Sequence, residues 1–316
     1  MNNELGNNHT IHSQHQHMTW DHSREPAIKA APGDIITFEN IDATSGQISA
    51  DSDIQTISSL DFSLINPIAG PVYVDGAEPG DSLKVTLIDF SPSCWAWTAI
   101  VPGFGLLAED FPNPALNIWN YDHNFAQPAV FSEIARIPLK PFCGTTGVAP
   151  AQPGGHSTIP PYMTGGNMDI RDLSLGVDLY LPVQVPGALF SIGDPHCAQG
   201  DGEVCGTAIE SPMGVTAKLD LVKGDELKFP RFSTSKPVSR HLDGSGYEVA
   251  TGIGPDLMEA SKNAVRGTIE FLSKTKNINP DQAYMLCSVC ADLRISEIVD
   301  QPNWVVSCYF PNIVFE

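Results

Sequence analysis

The densest group of potential catalytic residues lies between Gly193 and Glu203, in the sequence GDPHCAQGDGE. Asp194 and His196 are separated by one residue, so an extended chain places both side chains on the same face. Asp201 and Glu203 repeat that spacing. Carboxylates beside an imidazole can bind a divalent ion, or can act without metal as a general base beside a histidine. We therefore expect a functional site here; the competing interpretation is a turn of ordinary polar residues.

Two glycine-rich segments contain groups that could hold a substrate. The first, PFCGTTGVAP, offers backbone N–H groups around Gly144 and Gly147 that could bind an anion or oxyanion. The second, GGNMD, contains Gly166, Asn167 and Asp169. Each segment is also a good turn sequence, so neither indicates a site by itself.

A third group of polar residues lies in the sequence FENIDATSGQI. Glu39 and Asp42 stand at the end of a predicted strand, and Gln47 follows them. Two carboxylates there most simply form a charged strand rim. They become candidate ligands only if they face the segment 193–203.

Composition excludes several classes of protein. The chain of 316 residues has 37 acidic residues against 17 Lys and Arg, a net charge of −20, which argues against nucleic-acid and anionic-membrane partners. Residues 1–18 are polar, include four histidines and lack the apolar region of a signal peptide, so we expect a flexible terminus. Seven cysteines, an odd number, predict reduced thiols and a cytoplasmic location. The CxxC pair Cys287 and Cys290 lies in an apolar stretch and is interpreted as buried thiols rather than a zinc or redox site.

The hydrophobic pattern predicts a mostly β protein with a sandwich-like or barrel-like core and a smaller C-terminal α+β portion. Short apolar runs punctuated by Gly and Pro predict strands at 34–39, 70–74, 82–88, 177–185, 215–222 and 304–309. Helices are predicted only near the C-terminus, at 256–275 and 280–293. We divide the chain into the polar terminus 1–18, a β-rich core 19–235 that carries the site motifs, and an α+β portion 236–316.

Four segments together resemble one known family. The segments GPVYVDGAEPGD, PFCGTTGVAP, GGNMDI and GDPHCAQGDGEVCGTAIE follow one another in an order and spacing similar to the acetamidase/formamidase family, and the resemblance extends from about Trp20 to Glu316. The resemblance implies a cytoplasmic homo-oligomeric hydrolase, a dimer or larger, that releases ammonia from short aliphatic amides such as acetamide and formamide. It also implies a metal-dependent site near GDPH and QGDGE. The matching positions are Asp194, His196, Gln199, Asp201 and Glu203 in the central motif, Glu39 and Gln47 in the FE…GQI motif, and Gly165, Gly166, Asn167 and Asp169 in the GGN-x-D motif.

We assign roles within this neighbourhood from amide chemistry, which needs a strong nucleophile, a stabilised oxyanion and a proton for the leaving ammonia. The expected metal ligands are His196, Asp194, Asp42 and Glu39, with Zn²⁺ as the first choice of ion and Ca²⁺ or Mg²⁺ as alternatives. Glu203 is expected to be the general base and acid. The other expected catalytic or substrate-holding residues are Asn167, Asp201, Gly144, Gly147, Gly166 and Gln199. A small apolar pocket is expected to favour acetamide.

Two alternatives from other classes remain open. The first is a thiol amidase with Cys143 or Cys197 as its nucleophile, which predicts sensitivity to iodoacetamide and indifference to chelators. The second is a non-catalytic metal- or ligand-binding β protein, for which the acidic glycine-rich segment would suit calcium.

Overall fold

The protein is mostly β, with its helices concentrated at the C-terminal end, as the sequence predicts. A computed structural model describes residues 6–316. The first eleven strands are β1 (Asn8–Ile11), β2 (Gln16–His17), β3 (Thr19–Trp20), β4 (Ile28–Ala30), β5 (Ile35–Asn40), β6 (Ile68–Val74), β7 (Ser82–Pro92), β8 (Trp95–Ile100), β9 (Ala115–Asn120), β10 (Ala129–Phe131) and β11 (Ala135–Ile137). The others are β12 (Phe142–Val148), β13 (His156–Ser157), β14 (Pro161–Tyr162), β15 (Gly165–Asn167), β16 (Asp178–Pro182), β17 (Phe190–His196), β18 (Met213–Val222), β19 (Arg231–Ser233), β20 (Tyr247–Gly254), β21 (Asp292–Glu297) and β22 (Trp304–Pro311).

Three α-helices and four short 3₁₀ turns complete the elements. The helices are α1 (Ile54–Ser58), α2 (Leu257–Lys276) and α3 (Pro280–Cys290), and the 3₁₀ turns are Ser13–His15, Phe62–Leu64, Asp243–Ser245 and Asn312–Phe315. The one-turn helix α1 is absent from the sequence prediction because five residues are too few for a helical period to be visible. Within residues 6–316, none of the helices combines the length and the apolar character needed to cross a bilayer.

Two large sheets enclose the core. The first has the strand order β1-β5-β18-β7-β16-β19, and the second has the order β14-β15-β12-β17-β6-β2, with β4 also paired to β6. Along β18, buried residues alternate with more exposed ones, as expected for a strand with one face on the core. The rings of Phe38 and Phe190 meet edge to face between the sheets, 5.8 Å apart. Strands β12 and β17 are buried along their whole length, so their second face is covered too.

The C-terminal portion is a three-stranded sheet with the order β20-β22-β21, and α2 packs against it. The Asp256 side chain caps α2 and the Asn279 side chain caps α3, which begins with Pro280 at its first turn. Both predicted helices are confirmed, although α3 ends at Cys290 and the residues after it enter β21. The predicted boundary at 235 falls between β19, the last strand of the first sheet, and β20; the division into domains stays a prediction.

The expectation of a flexible terminus is wrong for the described part of residues 1–18, and residues 1–5 lie outside the described residues. Strand β1 pairs in parallel with β5, and β2 pairs with β6. The carboxylate of Asp34, buried at 3% exposure, accepts the backbone N–H of Asn7 at 2.7 Å and lies 3.0 Å from Nε2 of His9. Composition suggested disorder, but these long-range pairings fix the segment.

His17 anchors this N-terminal segment to the second sheet, and its burial makes stability depend on pH. Its Nδ1–H donates to the carbonyl oxygen of Thr19 at 2.9 Å, while Nε2 lies 3.1 Å from the hydroxyl of Ser191. Burial, helped by the charge of Arg24, lowers the pKa of His17 to about 4. The unfolded chain therefore binds a proton that the folded protein excludes. The stabilisation is complete above about pH 6.5 and is lost progressively as the pH falls towards 4.

We expect His17→Asn to reduce the loss of unfolding free energy between pH 7 and pH 5 by about 2 kcal/mol relative to wild type, because the variant no longer takes up this proton on unfolding. Urea denaturation at both pH values measures the difference. His123→Asn, at an exposed position, is the matched control. An unchanged pH dependence in His17→Asn would contradict the prediction.

Candidate active site

Strand β17 brings Asp194 and His196 together, as the two-residue spacing predicts. The Oδ1 atom of Asp194 lies 3.1 Å from Nε2 of His196. A third residue, Glu210, places Oε2 3.0 Å from the same nitrogen. Glu210 reaches this position because an isolated antiparallel bridge pairs it with His196, and its backbone also exchanges two hydrogen bonds with Trp97 of β8. The Glu210 Oε1 atom accepts the backbone N–H of Ala208 at 2.8 Å. One imidazole nitrogen thus faces two buried carboxylates.

Gln199 fixes the orientation and the tautomer of His196. Its amide nitrogen donates to the backbone carbonyl of Asp169 at 2.7 Å, so its carbonyl oxygen faces Nδ1 of His196 at 3.0 Å. That oxygen can only accept, which assigns the proton of a neutral ring to Nδ1. The ring also meets Phe142 edge to face at 5.0 Å. The lone pair on Nε2 of the neutral ring then points at Asp194 and Glu210.

Asp169 and Glu203 form a second acidic group with the same histidine. In this group, a carboxylate oxygen of Asp169, a carboxylate oxygen of Glu203 and a ring nitrogen of His196 all lie within 4.8 Å of one another. The corresponding atoms of Asp194, His196 and Glu210 meet the same distance limit. The chain makes room for the carboxylates by having glycine at position 144. A Cβ there would lie 2.3 Å from Oδ1 of Asp169 and 2.6 Å from Oδ2 of Asp194. Gly144 is therefore needed for the clustering itself.

Three of the four clustered acids have an unusual backbone. Asp169, Asp194 and Glu203 have φ values of +48°, +57° and +43°. Residues with a side chain adopt this left-handed region rarely, and each such residue costs on the order of 1–3 kcal/mol. Such strain is typical of sites where the surrounding structure holds a side chain in a required direction. It indicates that the convergence of these carboxylates is specified by the fold.

Burial and repulsion between neighbouring carboxylates raise the pKa values of three acids in the cluster. Burial, followed by the negative charge of Asp194, raises the pKa of Asp169 to about 7. Burial also raises the pKa of Glu210 to about 7 and, together with Asp169, the pKa of Glu203 well above its usual range. Burial alone would lower the pKa of His196, but the carboxylates of Glu210 and Asp194 hold it well above the ordinary value. The site therefore holds more acids than it can keep charged by itself.

The donor set fits a divalent cation. Eleven buried side-chain polar atoms of the described residues lack a hydrogen-bond partner, and three of them lie together in the cluster, namely Nε2 of His196, Oε2 of Glu210 and Oδ1 of Asp169. Buried polar groups in folded proteins are almost always paired, so three orphaned atoms in one place point to a missing common partner. A cation would satisfy the lone pair of Nε2 and the carboxylate oxygens at once.

The C-terminal portion holds the segment 199–210 in place. The backbone N–H of Gly200 donates to the carbonyl of Ser288 at 2.8 Å, and the Ser288 hydroxyl donates to the carbonyl of Thr207 at 2.6 Å. A Cβ on Gly200 would lie 2.0 Å from the carbonyl oxygen of Ala291, so only glycine permits this contact. The lack of a side chain at Gly200 therefore allows the backbone of the segment to pack closely against the end of α3. Residues 280–293 thus help to fix the position of Glu203.

A cavity opens from this cluster towards solvent. Its volume is about 150 Å³, and Asp194, Glu203 and Glu210 line it together with Asn167. The side-chain oxygen of Asn167 accepts the hydroxyl of Thr145 at 2.7 Å, and its nitrogen donates to the carbonyl of Ile159 at 3.0 Å. That nitrogen retains a second N–H that is available to a ligand. The rest of the lining is largely apolar.

The structure corrects the positions of several expected site residues. Asp42 is buried, but Thr44 donates to it with both its backbone N–H and its hydroxyl, and Gly46 N–H and the Trp97 indole N–H donate too. Its oxygens are therefore occupied, and it belongs to neither acidic group. Glu39 is half exposed beside Ser13 and His12. Neither residue is placed as a metal ligand.

Asp201 also lies outside the cluster. Its carboxylate is half exposed and lies 3.3 Å from Nε of Arg171. The glycines at 147 and 166 belong to the paired strands β12 and β15, where a Cβ on Gly147 would collide with the backbone of Gly166. They support the sheet beside the site and are not among the residues that line the cavity.

Sequence reasoning gave no role to two members of the cluster. Glu210 ends the quoted segment, but only the long-range bridge to His196 shows that it faces the imidazole. Asp169 matched the GGN-x-D motif, and its left-handed backbone turns its side chain towards Gly144. No spacing rule available from the sequence would have indicated either contact.

Comparisons with known proteins agree with this site. Residues 4–154 and 152–316 match the sequence model of the family described as Acetamidase/Formamidase family. The chain is 27% identical over 367 residues to the formamidase of Methylophilus methylotrophus, covering 95% of this chain and 89% of the relative. It is 26% identical over 343 residues to the acetamidase of Mycolicibacterium smegmatis, covering 85% and 84%.

Two solved structures are also similar. The gamma lactamase from Delftia acidovorans has a TM-score of 0.90 at 27% identity, covering 98% of this chain and 93% of the other. The acetamidase from Bacillus halodurans has a TM-score of 0.68 at 28% identity, covering 96% and 97%.

The cysteines offer no activated thiol near the cluster. All seven are free, and Cys94 alone is exposed. Burial raises the pKa of Cys143 above its ordinary value and that of Cys197 to about 12. A nucleophilic cysteine needs a lowered pKa, so these two thiols are poor candidates for the thiol-amidase alternative.

We expect native protein to react with iodoacetamide at Cys94 only, because the other six thiols are buried. Mass spectrometry of the alkylated protein measures the number and position of the labels, with urea-unfolded protein as the control that should label at all seven positions. Rapid labelling of native Cys143 or Cys197 would contradict the prediction and revive the thiol mechanism.

Proposed function

The chain belongs to the acetamidase/formamidase family and is an amidohydrolase that acts on linear amides, and we propose that it cleaves primary carboxylic amides such as formamide and acetamide with metal-activated water and a carboxylate general base. The observation that carries the proposal is the convergence of four carboxylates on one imidazole, with three orphaned buried atoms among them. An amide resists hydrolysis because its carbonyl is a poor electrophile and its nitrogen a poor leaving group. The reaction therefore needs groups of this kind.

Asp194, His196 and Glu210 would hold the ion, since their ligand atoms converge and are the most deeply buried of the cluster. A bound divalent cation acts as a Lewis acid on a carbonyl and lowers the pKa of water. An imidazole nitrogen among the donors favours Zn²⁺ over Ca²⁺ and Mg²⁺, which prefer oxygen ligands. Gln199 keeps the Nδ1–H tautomer of His196 and thereby directs Nε2 into the site.

Glu203 is proposed as the residue that moves protons. It borders the cavity and lies next to Asp169. Burial and the charge of Asp169 raise the pKa of Glu203, so this pair of carboxyl groups holds one proton firmly. A carboxylate with such an affinity can take a proton from water and later give it to the departing nitrogen. Asp169 would act as its positioning partner, because its own carboxylate is held against Gly144 and His196.

Asn167 is proposed to stabilise the oxyanion. Its amide group is fixed by Thr145 and by the carbonyl of Ile159, which leaves one N–H available in a residue that lines the cavity. A fixed donor of this kind stabilises developing negative charge because it does not need to reorient during the reaction. Substrate would lie between Asn167 and Glu203.

Two further parts of the proposal concern assembly and compartment. We propose a homo-oligomer, as the family resemblance implies, and a cytoplasmic location, which seven free thiols support. The non-catalytic binding protein that the sequence left open is not supported by the relatives, which are named as amidases. It would bind metal tightly without turnover, and the amide assays below would detect that outcome.

A second candidate reaction is the ring opening of a cyclic amide. It is favoured by the similarity to the gamma lactamase, whose TM-score of 0.90 exceeds the 0.68 of the acetamidase structure. A lactam presents the same carbonyl and nitrogen to the cluster, but its nitrogen stays attached to the product. The same proton transfer by Glu203 would serve both reactions.

We expect metal-free protein to bind Zn²⁺ tightly and Asp194→Asn to weaken binding by more than about 100-fold, since the loss of a ligand exceeds the usual effect of losing a supporting residue. Calorimetric titration with Zn²⁺, Ca²⁺ and Mg²⁺ measures the affinities. Asp201→Asn, a nearby acid outside the cluster, is the matched control. Equal affinities in wild type and Asp194→Asn would refute the ligand assignment.

We expect purified protein to release ammonia from acetamide and formamide, to lose this activity on exhaustive chelation and to regain it with the ion. Glu203→Gln should lower kcat by about 10²–10⁴, because it removes the proton carrier while keeping the side-chain shape. Glu39→Gln, the same exchange at a half-exposed position, should behave as wild type. Activity that survives chelation would overturn the metal mechanism.

For the second candidate, we expect ring opening of 2-pyrrolidinone by the metal-loaded protein. The product carries a free amine and no ammonia is released, so the reaction must be followed by amine detection. Glu203→Gln should lower this rate together with the amide rate, because both need the same proton transfer. Cleavage of primary amides without any ring opening would exclude the lactam reaction.

A further inference from the structure

The cavity above the acidic cluster is larger and more apolar than a short amide requires. Its volume is about 150 Å³. About 10–15 Å³ of such space suffices to hold one water molecule. Acetamide, with four non-hydrogen atoms, would therefore fill only part of the cavity, and the expectation of a small pocket does not hold.

The polar and apolar groups of the cavity occupy opposite ends. The buried end carries Asp194 and Glu210, exposed by 5% and 3%. The outer end carries Phe62, Phe104 and Ile159, exposed by 56%, 46% and 38%. An amide group bound at the acidic end would therefore direct its acyl substituent along an apolar channel towards solvent.

The wall between the two ends combines apolar and polar side chains. Its apolar residues are Leu60, Ile65, Trp97 and Val101, and its buried polar residues are Thr44, Asn66 and Thr207. The Trp97 indole N–H donates to Oδ2 of Asp42 at 2.9 Å, and the side chain is 3% exposed. Asp42, which the sequence suggested as a metal ligand, instead orients the largest side chain of this wall.

The aromatic side chain at the mouth is supported by a specific glycine. Phe104 lies against Gly206, where a Cβ would approach its ring to 2.4 Å. Large exposed apolar side chains that rim a cavity are typical of a surface that binds an apolar ligand. Their position at the outer end, away from the carboxylates, suits the far end of a long substrate.

From this arrangement we infer that the preferred substrates are primary amides with a bulky apolar acyl group, of the size of phenylacetamide, rather than formamide or acetamide. The inference rests on the proposed function, since it places the amide group at the same acidic cluster. The reaction is R–CONH₂ + H₂O → R–COO⁻ + NH₄⁺. The C–N bond breaks, a C–O bond forms to the water oxygen, and the protons of water end on the ammonium ion and balance the carboxylate.

The test compares ammonia release from formamide, acetamide, butyramide and phenylacetamide by metal-loaded wild-type protein. Each methylene buried in the channel should raise kcat/KM about three- to fourfold, so butyramide should exceed acetamide by about tenfold. Phenylacetamide should exceed acetamide by at least that factor, since its ring reaches the aromatic mouth. This series requires no variant and hence no assumption about folding.

A filled channel provides the second measurement. Ala43 lines the cavity, and Ala43→Leu should lower the ratio of kcat/KM for phenylacetamide to that for acetamide by at least tenfold. Ala50→Leu, the same exchange at an exposed position outside the cavity, should keep the wild-type ratio. Circular dichroism of both variants verifies the fold.

The outcomes separate the inference from the function on which it rests. A kcat/KM that rises along the series and a ratio that collapses in Ala43→Leu alone would support it. Hydrolysis of acetamide or formamide as fast as, or faster than, phenylacetamide would overturn the inference and leave the amidase function intact. Failure to release ammonia from any of the four amides would overturn both.

Discussion

The structure depends on one electrostatic constraint, the burial of four carboxylates around a single imidazole. Asp169, Asp194, Glu203 and Glu210 converge on His196, where like charges in a poorly solvated place repel strongly. The fold cannot keep all of them ionised alone, which is why three of them have pKa values raised by burial and by their neighbours. Bound protons or a divalent cation must compensate the charge. Amide hydrolysis uses both bound protons and a divalent cation. The groups that compensate the unfavourable burial are therefore the groups that the reaction needs.

The scaffold is arranged to impose this burial. Strands β12 and β17 lie at the centre of the second sheet and are covered on both faces, so the backbone that carries Asp194 and His196 cannot relax away from the cluster. Glycine at position 144 removes the side chain that would otherwise occupy the space. The helix α3 then fixes the segment 199–210 through Ser288 and through close contact between Ala291 and Gly200. The C-terminal α+β portion therefore contributes to the site without supplying a member of the cluster.

The sequence predicted what depends on local pattern. Alternation and turn residues located β5, β6, β7, β16, β18 and β22 but not the central strands β12 and β17; the helical period located α2 and α3, and the two-residue spacing placed Asp194 beside His196. What depends on long-range pairing could not be read in this way. Glu210 joins the cluster through a bridge between strands, and Asp42 leaves it because Thr44, Gly46 and Trp97 occupy its oxygens. The N-terminal segment was misjudged for the same reason, since its polar composition hides its pairing with β5 and β6.

The apolar channel and the acidic cluster act on each other through water. The high proton affinity of Glu203 depends on its burial, so water beside it weakens the effect that makes it a useful base. A small amide leaves the outer part of the cavity filled with water, whereas an apolar acyl group expels that water and touches Trp97 and Val101 instead. A well-fitting substrate would thus complete the low-dielectric setting in which electrostatic interactions are strongest. Acyl-chain preference in this fold should therefore affect the chemical step as well as binding, because the same wall that recognises the substrate shields the carboxylates.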